Sequence, residues 1–298
     1  MIELAASFGP SKHLSGTLTL PDEGSHPRDT AFLMFNAGVI HRIGPHRFNV
    51  KLARRLAALG WPSLRFDLAG QGDSDVAPVS QPFQRQIVAD LRAAIDHLQR
   101  TTGIERIVIA GICSGAHRGL AVAQEDERVI GLWMLDGFSY PTSKSRLQRY
   151  LRLLERNPAG TLASWVTWPW QQLQQRFGAR ARGADGAEPI EIDYGSVTPP
   201  REQFVRMLET VTQRGGRIFE MHSGNALWRY SYQGQFDDAF GHLEMAQRVR
   251  SDFLPDIDHT LTRVEVQRRV IGAIVEWAQS SFGAPPADQA GASKQKPL

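Results

Sequence analysis

The sequence has little of what marks several common classes of protein. It carries one cysteine among 298 residues, so a disulfide within the chain is excluded. No run of about 18 apolar residues occurs, and we therefore expect no membrane-spanning helix. The first ten residues show neither the basic start nor the apolar core of a signal peptide. A cytoplasmic location is the expectation that follows.

Charge is not concentrated in a way that suggests a nucleic-acid partner. The chain has 34 Lys and Arg residues against 31 Asp and Glu residues, and the basic ones are scattered. Hydrophobic residues make up 42% and charged residues 22%, which is typical of a globular protein. At this length we expect one large domain with an insertion. We also expect no metal or cofactor.

Strand and helix patterns alternate along the chain. Short segments typical of strands occupy 14–20, 31–35, 62–68, 106–110, 129–135, 217–221 and 249–254, and those at 31–35, 106–110 and 129–135 are the most apolar. Apolar residues at helical spacing occupy 48–59, 83–98, 114–124 and 261–282. This alternation predicts an α/β fold with a mostly parallel sheet covered by helices on both faces.

The alternation stops between residues 140 and 214. This segment is too long for a simple crossover, and we interpret it as a helical cap over the carboxyl edge of the sheet, where such folds bind ligands. The core is then predicted to comprise 1–139 and 215–282. Residues 283–298 are rich in Ala, Pro, Gly and Lys and are predicted to be a disordered tail.

The lone cysteine lies in a chemically informative place. Gly111-Ile-Cys113-Ser-Gly115 follows a buried strand and begins a helix. Glycines two residues before and after a nucleophile leave room for the sharp turn called a nucleophile elbow. The amides at the helix start would lower the pKa of the thiol. Two alternatives remain open: a buried, inert Cys113, or Ser114 as the nucleophile.

Two other loops offer partners for Cys113. His259 lies between the last strand and the last helix and is the candidate general base, unless it is only an exposed loop residue. Upstream, the amide of Gly38 or Val39 could pair with the amide of Ser114 to form an oxyanion hole.

These motifs resemble the α/β-hydrolase superfamily over residues 14–282. The strings 38–47, 52–57 and 64–74 are most similar to the exosortase-system-associated hydrolases. The cysteine-centred elbow also resembles that of the aminoacyltransferases that shuttle aminoacyl groups between carrier proteins in nonribosomal peptide assembly. It is more distantly similar to that of the dienelactone hydrolases. The resemblance implies an α/β-hydrolase fold with a catalytic triad.

One position departs from that family. The triad acid is expected after the seventh strand, where Ala226 stands instead. The first alternative is Asp136, at the end of the strand after the elbow, although this residue could simply form a turn. Asp237 and Asp238 are the second choice, and Asp258 is expected to shape its loop. A thiol is partly ionised near neutral pH, so it tolerates a displaced acid better than a serine.

Substrate contacts are predicted in two places. His41, Arg42 and Arg47, together with His46, could hold a carboxylate or the phosphate of a carrier's phosphopantetheine arm, or could be a solvated basic loop. Trp165 and Trp168 in the cap could line an acyl pocket or pack cap against core.

Three functions follow as hypotheses. The first is an acyltransferase that forms a thioester on Cys113 and takes its acyl or aminoacyl group from a thioester donor, either free or bound to a carrier protein. The second is a hydrolase of an ester, lactone or thioester with the same residues. The third, motivated by Ala226, is a decayed enzyme that only binds a ligand or partner.

Overall fold

One sheet of eight strands organises the part of the chain that the computed structural model describes, namely residues 1–22, 28–156, 198–224, 227 and 230–283. The strands are β1 (Ile2–Phe8), β2 (Leu14–Leu20), β3 (Thr30–Met34), β4 (Ser63–Phe66), β5 (Arg106–Ile112), β6 (Val129–Leu135), β7 (Arg217–Ser223) and β8 (Val249–Leu254). Their order across the sheet is β1-β2-β4-β3-β5-β6-β7-β8. β2 runs antiparallel to both β1 and β4, and the remaining neighbours are parallel.

Helices follow the parallel strands along the chain. They are α1 (Phe48–Ala57), α2 (Phe83–Thr102), α3 (Ser114–Glu125), α4 (Ser143–Arg156), α5 (Arg201–Gln213), α6 (Gln235–Phe240) and α7 (Val264–Phe282). Apolar residues of α2, α3 and α5 cover one face of the sheet, and those of α1 and α7 cover the other. The predicted α/β class with a mostly parallel sheet is therefore confirmed.

β5 shows why a continuous apolar segment becomes a central strand. Its neighbours are β3 and β6, so it is paired on both edges. Ile107 and Ile109 pack into the core under α2 and α3, whereas Val108 and Ala110 pack into the core under α1 and α7. Because successive side chains point to opposite faces, a strand buried on both faces takes apolar residues along most of its length. Cys113 directly follows β5, so the burial of this strand holds Cys113 in place at the edge of the sheet.

The structure describes only part of the region predicted to be a cap, and that part includes α5. α5 lies within the predicted 140–214 insertion, yet its Phe204, Leu208 and Val211 are buried in the same core as α3. α5 is thus part of the layer that covers the sheet, because its apolar face packs there and not over the carboxyl edge. Residues 157–197, with Trp165 and Trp168, lie outside the described residues, as does the predicted tail from 284 to 298.

No helix in the described ranges combines the length and the apolar character needed to cross a membrane. This finding matches the absence of long apolar runs in the sequence.

Candidate active site

Cys113 occupies a strained turn between β5 and α3. Its backbone has φ 56° and ψ −121°, a conformation that residues with side chains rarely adopt. A Cβ on Gly111 would lie 2.6 Å from the carbonyl carbon of Gly115, and one on Gly115 would lie 3.1 Å from the carbonyl oxygen of Asn36. Both glycines are needed because backbone passes so close to them. This is the geometry of the predicted elbow, with the Cys113 side chain half-buried.

His259 and Asp136 meet beside this turn. Nδ1 of His259 lies 2.6 Å from Oδ2 of Asp136, and the imidazole also makes a side-chain hydrogen bond with Cys113. Asp136 directly follows β6, the strand next to β5, and it too has a positive φ, of 51°. Parallel neighbouring strands end at the same edge, which brings residues 23 positions apart into one site. The structure thus brings Cys113, His259 and Asp136 together.

Ser223 holds the carboxylate of Asp136 from the other side. Its backbone N–H donates to Oδ1 at 2.7 Å and its hydroxyl donates to Oδ2 at 2.6 Å. Asp136 is buried, with 6% of its side chain exposed, and these donors keep it ionised. Ser223 ends β7, so this strand supplies a donor to the acid and not the acid itself. The role of Ser223 follows from the adjacency of β6 and β7, and no local sequence pattern indicates it.

The charges in the site favour an ion pair. Its hydrogen bond to His259 lowers the pKa of the Cys113 thiol, against the opposing effect of burial. The Ser114 amide also hydrogen-bonds the sulfur and lowers this pKa. Hydrogen bonds to Asp136, first, and to Cys113, second, raise the pKa of His259 to about 10. Both shifts favour transfer of the thiol proton to the imidazole, and the resulting thiolate–imidazolium pair is the reactive form of a cysteine nucleophile.

The other candidate acids lie elsewhere. Asp238 accepts a hydrogen bond from the hydroxyl of Tyr232 at 2.6 Å and lies 4.0 Å from Lys144. Asp258 accepts hydrogen bonds from the amides and hydroxyls of Thr260 and Thr262, so it orders the loop that carries the imidazole. No contact joins Asp237, Asp238 or Asp258 to the His259 ring within the described part of the chain. Ala226 falls outside that part.

The predicted oxyanion loop passes close to the elbow. The Gly38 amide donates to the hydroxyl of Ser114 at 2.9 Å. Val39, the next residue of this loop, is 80% exposed, so its side chain lies in solvent. The loop is braced by Asn36, whose side-chain amide donates to the Ile40 carbonyl at 3.0 Å and to Asp67 at 2.8 Å.

Arg42 and His41 are engaged by carboxylates of their own chain. The Arg42 guanidinium lies 2.5 Å from Asp67 and 2.7 Å from Asp73, and the His41 ring lies 3.2 Å from both. His41, Asp67 and Asp73 are close enough to share a metal ion, but the guanidinium already supplies the positive charge among them. Arg47 is exposed. Arg42 therefore anchors the loop and is not a free cation for a substrate anion.

Comparison with known sequences gives one partial match. Residues 38–181, just under half of the chain, match the family model described as serine aminopeptidase, S33. Among curated proteins no sequence matches significantly.

Solved structures of similar fold cover nearly the whole chain. A serine α/β hydrolase without a lid from Xanthomonas campestris is 16% identical, with a TM-score of 0.55 and 96% of each chain covered. A dienelactone hydrolase from Anabaena variabilis is 16% identical, with a TM-score of 0.56, covering 94% of this chain and 98% of that one. The esterase domain of a Rhodothermus marinus protein is 17% identical, with a TM-score of 0.52, covering 95% and 99%. The chain has the α/β-hydrolase fold.

Proposed function

We propose that this protein is a hydrolase of an ester, lactone or thioester that works through a thioester intermediate on Cys113. The observation that carries the proposal is the hydrogen-bonded series from Cys113 to His259 to Asp136, set at the carboxyl edge of the sheet. The esterase and dienelactone hydrolase among the structures of similar fold support this class of substrate. The more specific proposal, that the nucleophile is a cysteine, rests on the presence of Cys113 at the turn between β5 and α3.

Acylation begins from the thiolate. The sulfur of Cys113 attacks the carbonyl carbon, and the carbonyl oxygen becomes an oxyanion beside the Ser114 amide. When the tetrahedral intermediate collapses, the carbon–oxygen or carbon–sulfur bond to the leaving group breaks. The imidazolium of His259 gives its proton to that group, so an alcohol or thiol departs and a neutral imidazole remains.

Deacylation uses the same residues in the opposite sense. The neutral imidazole of His259 takes a proton from water as the water oxygen attacks the thioester carbon. The bond to sulfur breaks, the acid is released, and the thiolate and imidazolium are restored. Asp136 stays ionised throughout, because it serves to orient the imidazole and stabilise its positive form.

The test is release of acid from three matched substrates. We expect p-nitrophenyl acetate, a simple lactone and an acetyl thioester to be hydrolysed by the wild type and not by Cys113→Ala. A p-nitroanilide in parallel reports peptidase-like activity, which the match to serine aminopeptidases makes relevant. Hydrolysis of the anilide alone, or equal activity in Cys113→Ala, contradicts the proposal.

Acyl transfer is the second candidate, and the nucleophile is the observation that favours it. A thioester on Cys113 is close in energy to a thioester donor, so the acyl group can pass on to another thiol or amine without a deep energy trap. The donor or acceptor could then be a phosphopantetheinylated carrier protein. Measuring acid release with and without pantetheine as acceptor separates the two. If the acyl group goes to pantetheine and acid release falls accordingly, transfer is the main reaction.

A further inference from the structure

Ser114 has a hydroxyl whose position the mechanism above does not use. This residue follows the nucleophile, begins α3 and is 3% exposed. Its hydroxyl oxygen accepts the Gly38 amide proton at 2.9 Å. Among the described residues, this hydroxyl donates no hydrogen bond. A buried hydroxyl normally uses its donor, so this proton lacks a partner until a substrate arrives.

The hydroxyl lies next to where the oxyanion forms. The Ser114 amide already hydrogen-bonds the sulfur of Cys113, so an oxygen on the attacked carbon develops charge beside the same residue. Within one serine, Oγ is three bonds from the amide nitrogen, which puts both donors within reach of one acceptor. The Gly38 amide points at the hydroxyl oxygen and polarises it, which makes its proton a stronger donor.

We propose that the Ser114 hydroxyl is a catalytic oxyanion donor that relays the polarity of the Gly38 amide to the reacting oxygen. Gly38 thereby contributes to the oxyanion hole through Ser114 and not by direct contact. No covalent bond changes in this step, and the hydroxyl proton stays on Ser114. The inference rests on the proposed acylation of Cys113 and names a specific donor for it.

Alkylation and acylation of the same sulfur separate this role from a structural one. Iodoacetamide reacts by displacement of iodide and forms no oxyanion, whereas p-nitrophenyl acetate reacts through one. We therefore expect Ser114→Ala to alkylate at the wild-type rate and to acylate about 10²-fold more slowly, the usual effect of losing one oxyanion donor. The loss should appear in kcat with little change in KM.

Two further variants keep the test decisive. Ser114→Gly removes the same hydroxyl, and Ser114→Thr retains one and should recover most of the acylation rate. If Ser114→Ala does not fold, the comparison of Gly with Thr answers the same question.

Each alternative has its own result. Unchanged acylation in Ser114→Ala means the hydroxyl is incidental. Faster acylation means that it blocks the Gly38 amide in the free enzyme. Either result overturns the relay while leaving the hydrolase proposal standing. A wild type that alkylates at Cys113 but is never acylated overturns both proposals.

Discussion

Replacing Asp136 with asparagine removes the charge that supports the proposed catalytic pair, Cys113 and His259, while keeping the size of the side chain. Asparagine also tolerates the positive φ of 51° at this position better than most residues. The hydrogen bond that His259 donates to Asp136 is the largest cause of the raised pKa of His259, which reaches about 10. Without it, the pKa of His259 falls towards its ordinary value, and the imidazole is mostly neutral at pH 7.

The consequence is expected at the sulfur. Its hydrogen bond to His259 is the largest cause of the lowered pKa of Cys113, so a neutral imidazole lets this pKa rise. A thiol with the ordinary pKa of about 8.5 is roughly 3% ionised at pH 7. Asp136→Asn should therefore alkylate at pH 7 more slowly than the wild type, by at most about 30-fold. The difference should disappear above about pH 9.5, where any thiol is ionised.

Iodoacetamide kinetics between pH 5 and pH 10, followed by intact mass, measure this directly. Cys113 is the only cysteine, so no other thiol contributes to the signal. In the wild type the rate should rise at lower pH than in the variant, and the imidazolium should persist until the pH approaches about 10. Asp238→Asn is the matched control, since that carboxylate binds Tyr232 and should leave the profile unchanged. Coincident profiles for wild type and Asp136→Asn refute the role given to Asp136.

Three other substitutions have defined outcomes. Ser223→Ala removes the hydroxyl donor to Asp136 and should lower kcat about 10-fold, which steady-state kinetics measure; an unchanged kcat would mean that the backbone amide alone suffices. Gly111→Ala places a Cβ 2.6 Å from the Gly115 backbone and should cost about 3 kcal/mol, which lowers the Tm of a chain of this length by about 5 °C. A thermal melt like that of the wild type would show that the elbow adjusts. Asp67→Asn leaves Arg42 with one carboxylate partner, Asp73, and should lower the free energy of unfolding measured in urea by about 2–3 kcal/mol. An unchanged urea midpoint would contradict this expectation.

Much of the sheet could be predicted from the sequence, because buried parallel strands have a strong local signal. Val129–Leu135 has the predicted bounds, since it is a short apolar segment between turns. Val249–Leu254 also has them, although three of its six residues, Arg250, Ser251 and Asp252, are polar. β1 was not predicted. Its first four residues alternate between apolar and polar or small side chains, but most of its side chains are exposed. It forms a strand because its backbone pairs with β2. An edge strand held by backbone pairing leaves little mark on composition.

The site was harder to predict where partners come from separate strands. Cys113 and His259 are each marked by a local pattern, a glycine-flanked turn and a loop between the last strand and helix. Asp136 was one of several choices, because only the adjacency of β5 and β6 brings it to the imidazole. The ion pairs of Arg42 depend on the distant Asp67 and Asp73, so a basic loop could not be distinguished from a substrate site by sequence.

The central claim is that Cys113 is a nucleophile that carries an acyl group, and intact mass spectrometry during turnover of p-nitrophenyl acetate tests it most directly. The wild type is predicted to gain one acetyl group per chain, mapped to Cys113 by peptide analysis and lost on quenching with hydroxylamine. Cys113→Ala is predicted to gain none. An acetyl group that persists in Cys113→Ala, or one that maps to Ser114 in the wild type, would contradict the claim.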